Sequence, residues 1–286
     1  MNKPPSLIKW SGSKRSQAET ISALFPDDAN VTYWEPFLGG GSVLYYGAQY
    51  FRRAEASDLY QPLIEVWTSV KNNPQNVKDS YRSDWDALQS AFPDYFYTVR
   101  NRFNSEKKGQ DLLFLSRTCV NGIIRFNSKG EFNNAIHLTR RGMQPKLFSA
   151  IVDRWASVLG NVRFSVADYE EILGRVKAGD FVYLDPPYAN SHNRYVEDLD
   201  IGRFMRFLDS LNRSDVKWAL SFDGVRGTDD FTYSVPDDLY RRRIKIETGH
   251  SHVQQVLNGT KQTVIESLYV NYDPSSRRLN QLNLNL

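Results

Sequence analysis

Cysteine and histidine are both scarce in this chain of 286 residues. A single cysteine, Cys119, excludes an internal disulfide framework and a zinc site built from thiolates. The four histidines share no metal-ligand spacing with nearby acidic residues: they are His137, His192, His250 and His252. The sequence therefore predicts a protein without a metal centre, and it does not implicate a cysteine nucleophile.

Long apolar runs are also missing. No stretch approaches the ~20 apolar residues of a membrane-spanning helix, and residues 1–5 lack the apolar core of a signal peptide. We therefore expect a cytoplasmic protein with no membrane partner. Charged residues make up 24% and hydrophobic residues 41% of the chain, as in ordinary globular proteins. This length can bury the core of one large domain, with or without an insertion.

The alternation of strand-like and helix-like segments indicates the fold class. Repeated strand–helix units predict an α/β, Rossmann-like doubly wound sheet, whose ligands lie beyond the carboxyl ends of the strands. The last predicted strand is a candidate for antiparallel pairing. The predicted strands, rich in β-branched and aromatic residues, are 31–35, 53–58, 161–166, 181–184, 216–222, 243–247 and 264–272.

The middle of the chain interrupts this alternation. Residues 71–146 are polar, aromatic and rich in Asn and Arg, with helices predicted over 84–92, 94–104 and 110–120. Asn121-Gly122 and Lys129-Gly130 are turn signals typical of hairpins. We therefore predict a main domain formed by 1–70 and 147–286, and an inserted, mainly helical domain, 71–146, that carries a projecting hairpin.

The positive charge of the protein is concentrated in this same region. Residues 97–146 contain ten Lys or Arg and three Asp or Glu, whereas the rest of the chain holds 26 basic and 30 acidic residues. Such an asymmetry favours a polyanionic partner for the middle segment. A solvated helical face is the alternative explanation of the same charges.

The sequence Asp185-Pro186-Pro187-Tyr188 follows the strand predicted at 181–184. Two prolines cannot continue a hydrogen-bonded ladder, because each lacks an N–H group and has a fixed φ. The turn can therefore present the Asp185 carboxylate and the Pro186 carbonyl side by side, with the Tyr188 ring beside them. Two acceptors and a stacking face suit an exocyclic aromatic amine. The alternative is a proline-rich turn whose aspartate caps the next helix.

Three more features fall at the ends of predicted strands. The loop 36–42 carries Gly39, Gly40 and Gly41, which allow close approach of a ligand to the backbone. Asp58 ends the next strand, at a distance typical of an acid that bonds ribose hydroxyls, although a helix cap explains it equally well. Asp168 follows a third strand. Upstream, Trp10 and Lys14 suit a stacking surface and a charge for a cofactor, or a core tryptophan and a surface lysine.

Taken together, these motifs resemble the Dam-type DNA adenine-N6 methyltransferases, the D12 class or alpha group. The resemblance extends from Lys9 to Tyr272 and depends on the order of five motifs. They are Lys9-Trp-Ser-Gly-Ser-Lys14, Glu35-Pro-Phe-Leu-Gly-Gly-Gly-Ser42, Ser57-Asp-Leu-Tyr60, Asp185-Pro-Pro-Tyr188 and Ser267-Leu-Tyr-Val-Asn-Tyr272.

The resemblance implies a site-specific enzyme that transfers a methyl group from S-adenosylmethionine to the N6 amine of an adenine flipped out of double-stranded DNA. The main domain is then the catalytic methyltransferase domain, and the insertion is the target-recognition domain. Catalysis would depend on Asp185, Pro186 and Tyr188. The cofactor would contact Trp10, Lys14, Phe37, Gly39, Gly41, Asp58 and Asp185, with Asp168 near its adenine ring.

The hairpin of the inserted domain is similar to the DNA-recognition hairpin of that family. Side chains of Asn and Arg can bond adenine and guanine bidentately in the major groove, whereas Lys commonly meets phosphates. A structural role in a turn stays open for Asn121 and Asn133. The predicted DNA-binding residues are Asn121, Arg125, Asn127, Lys129, Asn133, Arg140 and Arg141, with Lys107 and Lys108 as further phosphate contacts.

Residues 134–141 depart from the best-known Dam members, so the sequence does not define the target as GATC. Two other functions stay open: methylation of cytosine N4, and a non-catalytic DNA-binding regulator on the same scaffold. A cognate restriction endonuclease is a candidate partner. The recognition sequence and the oligomeric state cannot be read from the chain.

Overall fold

The computed structural model describes residues 3–187, 199–226, 229–230, 235–250 and 263–275. Strands form its centre. They are β1 (Thr32–Glu35), β2 (Arg53–Asp58), β3 (Val162–Val166), β4 (Phe181–Leu184), β5 (Lys217–Arg226), β6 (Asp229–Asp230), β7 (Arg242–His250) and β8 (Thr263–Val270). They build one sheet in the order β3-β2-β1-β4-β5-β8-β7, while β6 pairs with β5 at its end.

Helices flank the sheet. They are α1 (Ala18–Ser22), α2 (Leu44–Tyr50), α3 (Gln61–Asn72), α4 (Pro74–Ser90), α5 (Asp94–Glu106), α6 (Gly109–Thr118), α7 (Pro145–Ala156) and α8 (Ile201–Arg213). Two 3₁₀ turns cover Val120–Gly122 and Tyr169–Gly174. No helix in the described part of the chain has the length and apolarity needed to cross a bilayer.

The strand directions place a ligand crevice at the centre of the sheet. Strands β1 to β5 pair in parallel, whereas β8 runs antiparallel to both β5 and β7. The chain order reverses between β1 and β4, which are direct neighbours. In doubly wound sheets, such a switch point opens a crevice at the carboxyl ends of the strands. The predicted α/β fold class is confirmed.

Alternate side chains of each central strand belong to two separate cores. Phe181 and Tyr183 of β4 join a core on one face of the sheet, and Val182 and Leu184 join the core on the other. This division follows from the two-residue period of a strand. Strand β4 is buried at every position, which is why it reads as a continuous apolar run.

The inserted segment packs on the main body through helices. Helix α6 lies against α3, and α4 lies against α7. Phe103 and Leu112 therefore share one core with Trp67 and Trp155. The division into domains at 71 and 146 stays a prediction.

The predicted helix at 84–92 is wrong in its start, because α4 begins ten residues earlier, at Pro74. Asn73 accepts a hydrogen bond from the Asn76 backbone N–H at 3.4 Å, and Pro74 occupies the first turn. An Asn-Pro pair at a helix start is a known signal. Because the first half of α4 is mostly polar, it lacks the clear apolar periodicity that indicates a helix.

Candidate active site

One cavity opens at the carboxyl ends of β1, β2 and β4. Each residue predicted to contact the cofactor lines it: Trp10, Lys14, Phe37, Gly39, Gly41, Asp58, Asp168 and Asp185. Pro186 and Pro187 line it as well. Segments far apart in the sequence thus meet at the switch point of the sheet, as the strand pattern predicts.

The glycine loop between β1 and α2 is closely surrounded by aromatic rings. Gly39 has φ +45° and Gly41 has φ +64°, both in the left-handed region. A Cβ on Gly39 would lie 2.8 Å from Trp10 Cδ1, and a Cβ on Gly41 would lie 2.8 Å from Trp67 Cζ2. The Trp67 indole N–H donates to the Gly39 carbonyl at 3.2 Å. Glycine is therefore required here for both conformation and space.

Asp58 ties the end of β2 to this loop. Its carboxylate accepts the Gly39 N–H at 3.0 Å and the Tyr60 N–H at 3.1 Å. Burial raises the pKa of Asp58, while these backbone hydrogen bonds act in the opposite direction. The acid thus fixes the glycine loop as well as lining the cavity, and the helix-cap alternative is wrong, because the N-cap residue of α3 is Tyr60 and no side chain caps that helix.

Lys14 and Asp185 form an ion pair inside the cavity. The Lys14 Nζ lies 2.9 Å from the Asp185 Oδ1, and the two side chains are 3% and 19% exposed. Lys14 also donates to the Gly12 carbonyl at 3.2 Å. The alternative interpretation of Lys14 as a surface lysine is wrong, because the chain folds its N-terminal segment over the end of β4.

Several cavity residues were not predicted from the sequence as site residues, among them Glu35 and Tyr183. Glu35 is buried, accepts a hydrogen bond from the Tyr33 hydroxyl, and has its pKa raised well above the usual range, chiefly by burial. The Tyr33 hydrogen bond opposes that shift, and the charge of Asp185 adds to it. Tyr183 shares a hydrogen bond of 2.8 Å with Ser221. Glu35 ends a strand as Asp58 does, a signal that the sequence offered.

An aromatic and charged wall closes the side of the cavity near β3. Asp168 caps the 3₁₀ turn by accepting the Glu170 N–H at 2.9 Å, and it pairs with Arg203 at 2.7 Å. The Arg203 guanidinium lies 5.0 Å from the centre of the Tyr169 ring, on which Phe37 stacks at 5.3 Å. Asp168 thus lies in the cavity as a carboxylate that is paired with Arg203 and oriented by its hydrogen bond to the 3₁₀ turn.

The residues after α6 form an antiparallel hairpin beside the cavity. Cys119 pairs with Ile136, and Phe126 pairs with Phe132. Ile124 and Phe126 also line the cavity, so the hairpin provides part of its wall.

Comparison with known proteins identifies the family. The family model for the D12 class N6 adenine-specific DNA methyltransferases matches residues 10–247. The chain belongs to this family. It is a DNA adenine-N6 methyltransferase, and such membership implies S-adenosylmethionine as the methyl donor. The resemblance in the sequence motifs is confirmed, and the family decides against the cytosine and non-catalytic alternatives.

Two curated relatives show the extent of the similarity. The type II methyltransferase M.MjaIII of Methanocaldococcus jannaschii is 32% identical over 75% of this chain and 83% of its own length. The DNA adenine methylase of Escherichia coli K12 is 29% identical over 66% of each chain. The similarity to the second relative thus leaves about a third of its length unmatched.

In this methyltransferase, the predicted DNA-binding side chains differ in what they contact. Arg125 is exposed, and its Nε donates to Asn133 Oδ1 at 2.8 Å. Asn127 accepts the Lys129 and Glu131 N–H groups at 2.9 and 3.0 Å, so it builds the tip of the hairpin. Asn121 has φ +55°, a conformation that supports the turn role left open for it.

Arg140 and Arg141 lie beyond the hairpin and are both exposed. The Arg141 guanidinium lies 4.4 Å from the centre of the Phe92 ring. Lys129 is exposed at the tip. All three cations are thus exposed, and their contact with DNA stays a prediction.

Two residues from the sequence analysis remain: Cys119, to which no catalytic role was given, and Tyr188. Cys119 is buried, and burial raises the pKa of its thiol to about 11, so the thiolate is scarce at neutral pH. That environment agrees with a mechanism in which no cysteine attacks. Tyr188, predicted to stack on the target base, lies outside the described residues.

Proposed function

We propose that this methyltransferase acts on an adenine that leaves the DNA duplex and enters the cavity beside Asp185. The observation that supports the proposal most directly is the shared cavity of Asp185, Pro186 and the glycine loop. An amine buried in paired DNA must be extruded before any side chain can reach it. S-adenosylmethionine, when bound, supplies an electrophilic methyl group.

The cavity residues suit S-adenosylmethionine in their chemistry. The adenine ring of this cofactor needs an apolar face, its ribose hydroxyls need hydrogen-bond acceptors, and its cationic sulfur needs a carboxylate. Phe37 and Trp10 offer faces, Asp58 and Asp168 offer acceptors, and the bare backbone at Gly39 and Gly41 leaves room that a Cβ would fill. In the proposal, Trp10, Lys14, Phe37, Gly39, Gly41, Asp58, Asp168 and Asp185 hold the cofactor.

Asp185 and Pro186 prepare the amine for attack. The lone pair of an exocyclic adenine amine is delocalised into the ring, so the neutral amine is a poor nucleophile. Acceptance of its two N–H bonds by the Asp185 carboxylate and the Pro186 carbonyl favours a pyramidal nitrogen with a free lone pair. The Lys14 ammonium, 2.9 Å from Asp185, orients that carboxylate. Most of the rate gain then comes from alignment and electrostatics.

The proton leaves after the methyl group arrives. Methylation makes the amine acidic, so Asp185 does not have to be a strong base beforehand. The carboxylate is within reach of the same N–H that it oriented, which makes it the natural acceptor. Tyr188 would stack on the extruded base.

Target reading belongs to the inserted segment in this proposal. Residues 71–146 act as the DNA-recognition domain, and the exposed Arg125 at the hairpin is the leading base-reading side chain. The exposed cations Lys129 and Arg141 supply phosphate contacts, which orient the duplex without reading it, whereas Arg140 reads a base together with Arg125. Asn121, Asn127 and Asn133 shape the hairpin and contact DNA from it.

Asp185→Ala tests the catalytic role directly. We expect a loss of methylation of roughly 100-fold or more, as for other preorganised groups that act on a transition state, with DNA binding largely retained. The product is measured as N6-methyladenine after nuclease digestion, and binding by fluorescence anisotropy. Asp238→Ala, at an exposed aspartate, is the control. Full activity of Asp185→Ala would remove this residue from the mechanism.

The type II name of the Methanocaldococcus relative supports a further proposal, protection of DNA from a cognate restriction endonuclease. Plasmid DNA from cells that express the enzyme should resist a nuclease whose site contains the methylated adenine. Such sites are found by sequencing with detection of modified bases. Methylation at sites that no tested nuclease recognises would favour an enzyme acting alone.

A further inference from the structure

Side chains of helix α5, and of Lys107 directly after it, hold the returning arm of the hairpin, residues 130–136. The Arg100 Nη1 donates to the Asn134 carbonyl at 3.3 Å, and the Lys107 Nζ donates to the Gly130 carbonyl at 2.7 Å. Between them, Asn104 makes two hydrogen bonds with residue 132. Its Nδ2 donates to the Phe132 carbonyl at 3.1 Å, and its Oδ1 accepts the Phe132 N–H at 2.7 Å.

The residues that make these contacts are regularly spaced, both along the helical segment and along the returning arm. Arg100 and Asn104 are four residues apart, so they lie on one face of α5, and Lys107 directly follows the last helical residue with φ +54°. Their partners are residues 130, 132 and 134, whose carbonyls point the same way because carbonyl directions alternate along an extended chain. The carbonyls of Glu131 and Ala135 face the other arm, where they accept N–H groups of Asn127 and Val120 at 2.9 Å each.

The returning arm thus has an open backbone edge that a helix covers. Unpaired backbone groups at such an edge are usually covered or blocked in native proteins. Here the Asn104 amide stands in for a neighbouring strand, because it offers both a donor and an acceptor to one peptide unit. The Phe132 ring is buried and packs edge-on against Phe103 of α5 and Phe126 of the other arm, each at 6.2 Å.

Helix α5 is itself fixed to its neighbours by ion pairs. The Arg102 guanidinium binds the Asp111 carboxylate of α6 through two nitrogens, at 2.9 and 2.5 Å, and lies 3.6 Å from Asp84 of α4. Both acids are buried. The helix is therefore a rigid support, and an element bonded to it inherits its orientation.

We propose that Asn104, assisted by Arg100 and Lys107, is a positioning residue that sets the orientation of the hairpin and with it the target specificity of the enzyme. The inference rests on the proposed role of the hairpin in reading DNA. Arg125 and the cavity residue Phe126 lie on the arm that pairs with residues 131–133. A tilt of the returning arm would therefore move a base-reading side chain and the cavity wall together.

The test compares variants on one face of α5 with a control on another. Asn104→Leu removes both hydrogen bonds to residue 132, whereas Asn104→Asp keeps the acceptor and loses the donor. Lys107→Met removes the contact with the hairpin tip. Thr98→Leu, at an exposed residue about 120° around the same helix from Asn104, is the matched control. The substrates are a duplex with the methylated site found by sequencing and duplexes that differ from it by one base pair.

We expect Asn104→Leu to lower kcat/KM on the cognate duplex roughly tenfold, the factor expected for two hydrogen bonds, and to narrow the ratio between cognate and altered duplexes. Asn104→Asp should lie between wild type and Asn104→Leu, and Thr98→Leu should match wild type. Affinity for S-adenosylmethionine should be unchanged in every variant, which shows that the main body is folded. If Asn104→Leu does not fold, Asn104→Asp carries the same comparison.

One outcome would overturn the role of Asn104, and a second would overturn the role of Lys107. If the wild type is active and Asn104→Leu is indistinguishable from Thr98→Leu in rate and selectivity, the positioning role is removed. For Lys107→Met, a salt slope of DNA binding reduced by about one unit, with selectivity unchanged, would make Lys107 a phosphate contact instead. Absence of N6-methyladenine with the wild type would contradict the proposed function itself, which is a different result.

Discussion

The Lys14 ammonium lies 2.9 Å from the Asp185 carboxylate, with only 3% of the lysine side chain exposed. The pair joins the N-terminal segment to the turn after β4 inside the cavity. A largely buried lysine requires an anionic partner, since removal of charge from water is costly. Lys14 therefore both stabilises the fold and orients the acid to which we assign catalysis.

Lys14→Met keeps the apolar stem and removes that cation. We expect the free energy of unfolding to fall by about 1–3 kcal/mol, less than for fully buried pairs because Asp185 is 19% exposed. Methylation should fall strongly as well. Lys146→Met, at an exposed lysine, should change neither quantity. The double variant Lys14→Met with Asp185→Asn should recover stability but not activity, and a strictly additive loss of stability would contradict the pairing.

Gly41→Ala tests the requirement for glycine in the loop. The added Cβ would lie 2.8 Å from Trp67 Cζ2 at a φ of +64°, so both strain and overpacking apply. We expect denaturant unfolding to show a loss of about 2–4 kcal/mol and calorimetry to show weakened cofactor binding. Gly160→Ala is the control, because a Cβ there meets nothing within 4 Å. Equal stability of the two variants would show that the loop tolerates side chains.

Glu35→Gln tests the buried acid. The pKa of Glu35 is raised chiefly by burial, so the folded state binds its proton more tightly than the unfolded state does. Its stabilising contribution is full below its ordinary pKa of 4.5 and decreases as the pH rises towards the folded-state value. Glutamine stays neutral throughout.

The free energy of unfolding of Glu35→Gln should therefore rise relative to that of the wild type as the pH increases from 4.5 towards the folded-state pKa of Glu35, by up to about 1.4 kcal/mol per pH unit. Urea unfolding curves between pH 5 and 8 measure the difference. Parallel stability profiles of the two proteins would show that Glu35 titrates normally.

Arg125→Ala tests the reading of a base by the hairpin. If Arg125 bonds a base edge, the substitution should weaken binding to the cognate duplex by about 1–3 kcal/mol and relax selectivity at one position. Lys129→Ala, at the exposed tip, should weaken binding to all duplexes alike and reduce the salt slope by about one unit. A uniform loss and a smaller slope for Arg125→Ala would assign Arg125 to phosphate.

Much of the fold could be predicted because it is encoded locally. The apolar run at β4, the alternation at β3 and the turn residues around the hairpin depend on neighbouring residues, and their positions agree with the structure within a few residues. The loop of three glycines and the acids after successive strands were found in the same way, since the carboxyl ends of parallel strands meet at one edge.

The sequence by itself determined the order of the motifs, the strand–helix alternation and the acids at the strand ends, because periodicity and turn chemistry act between residues close in the chain. Only the tertiary structure decided that Lys14 is buried against Asp185, that Glu35 lies in the cavity, and that Asn104 holds the hairpin. Each of these contacts joins distant parts of the chain. Their energies depend on burial and geometry, which are properties of the folded protein.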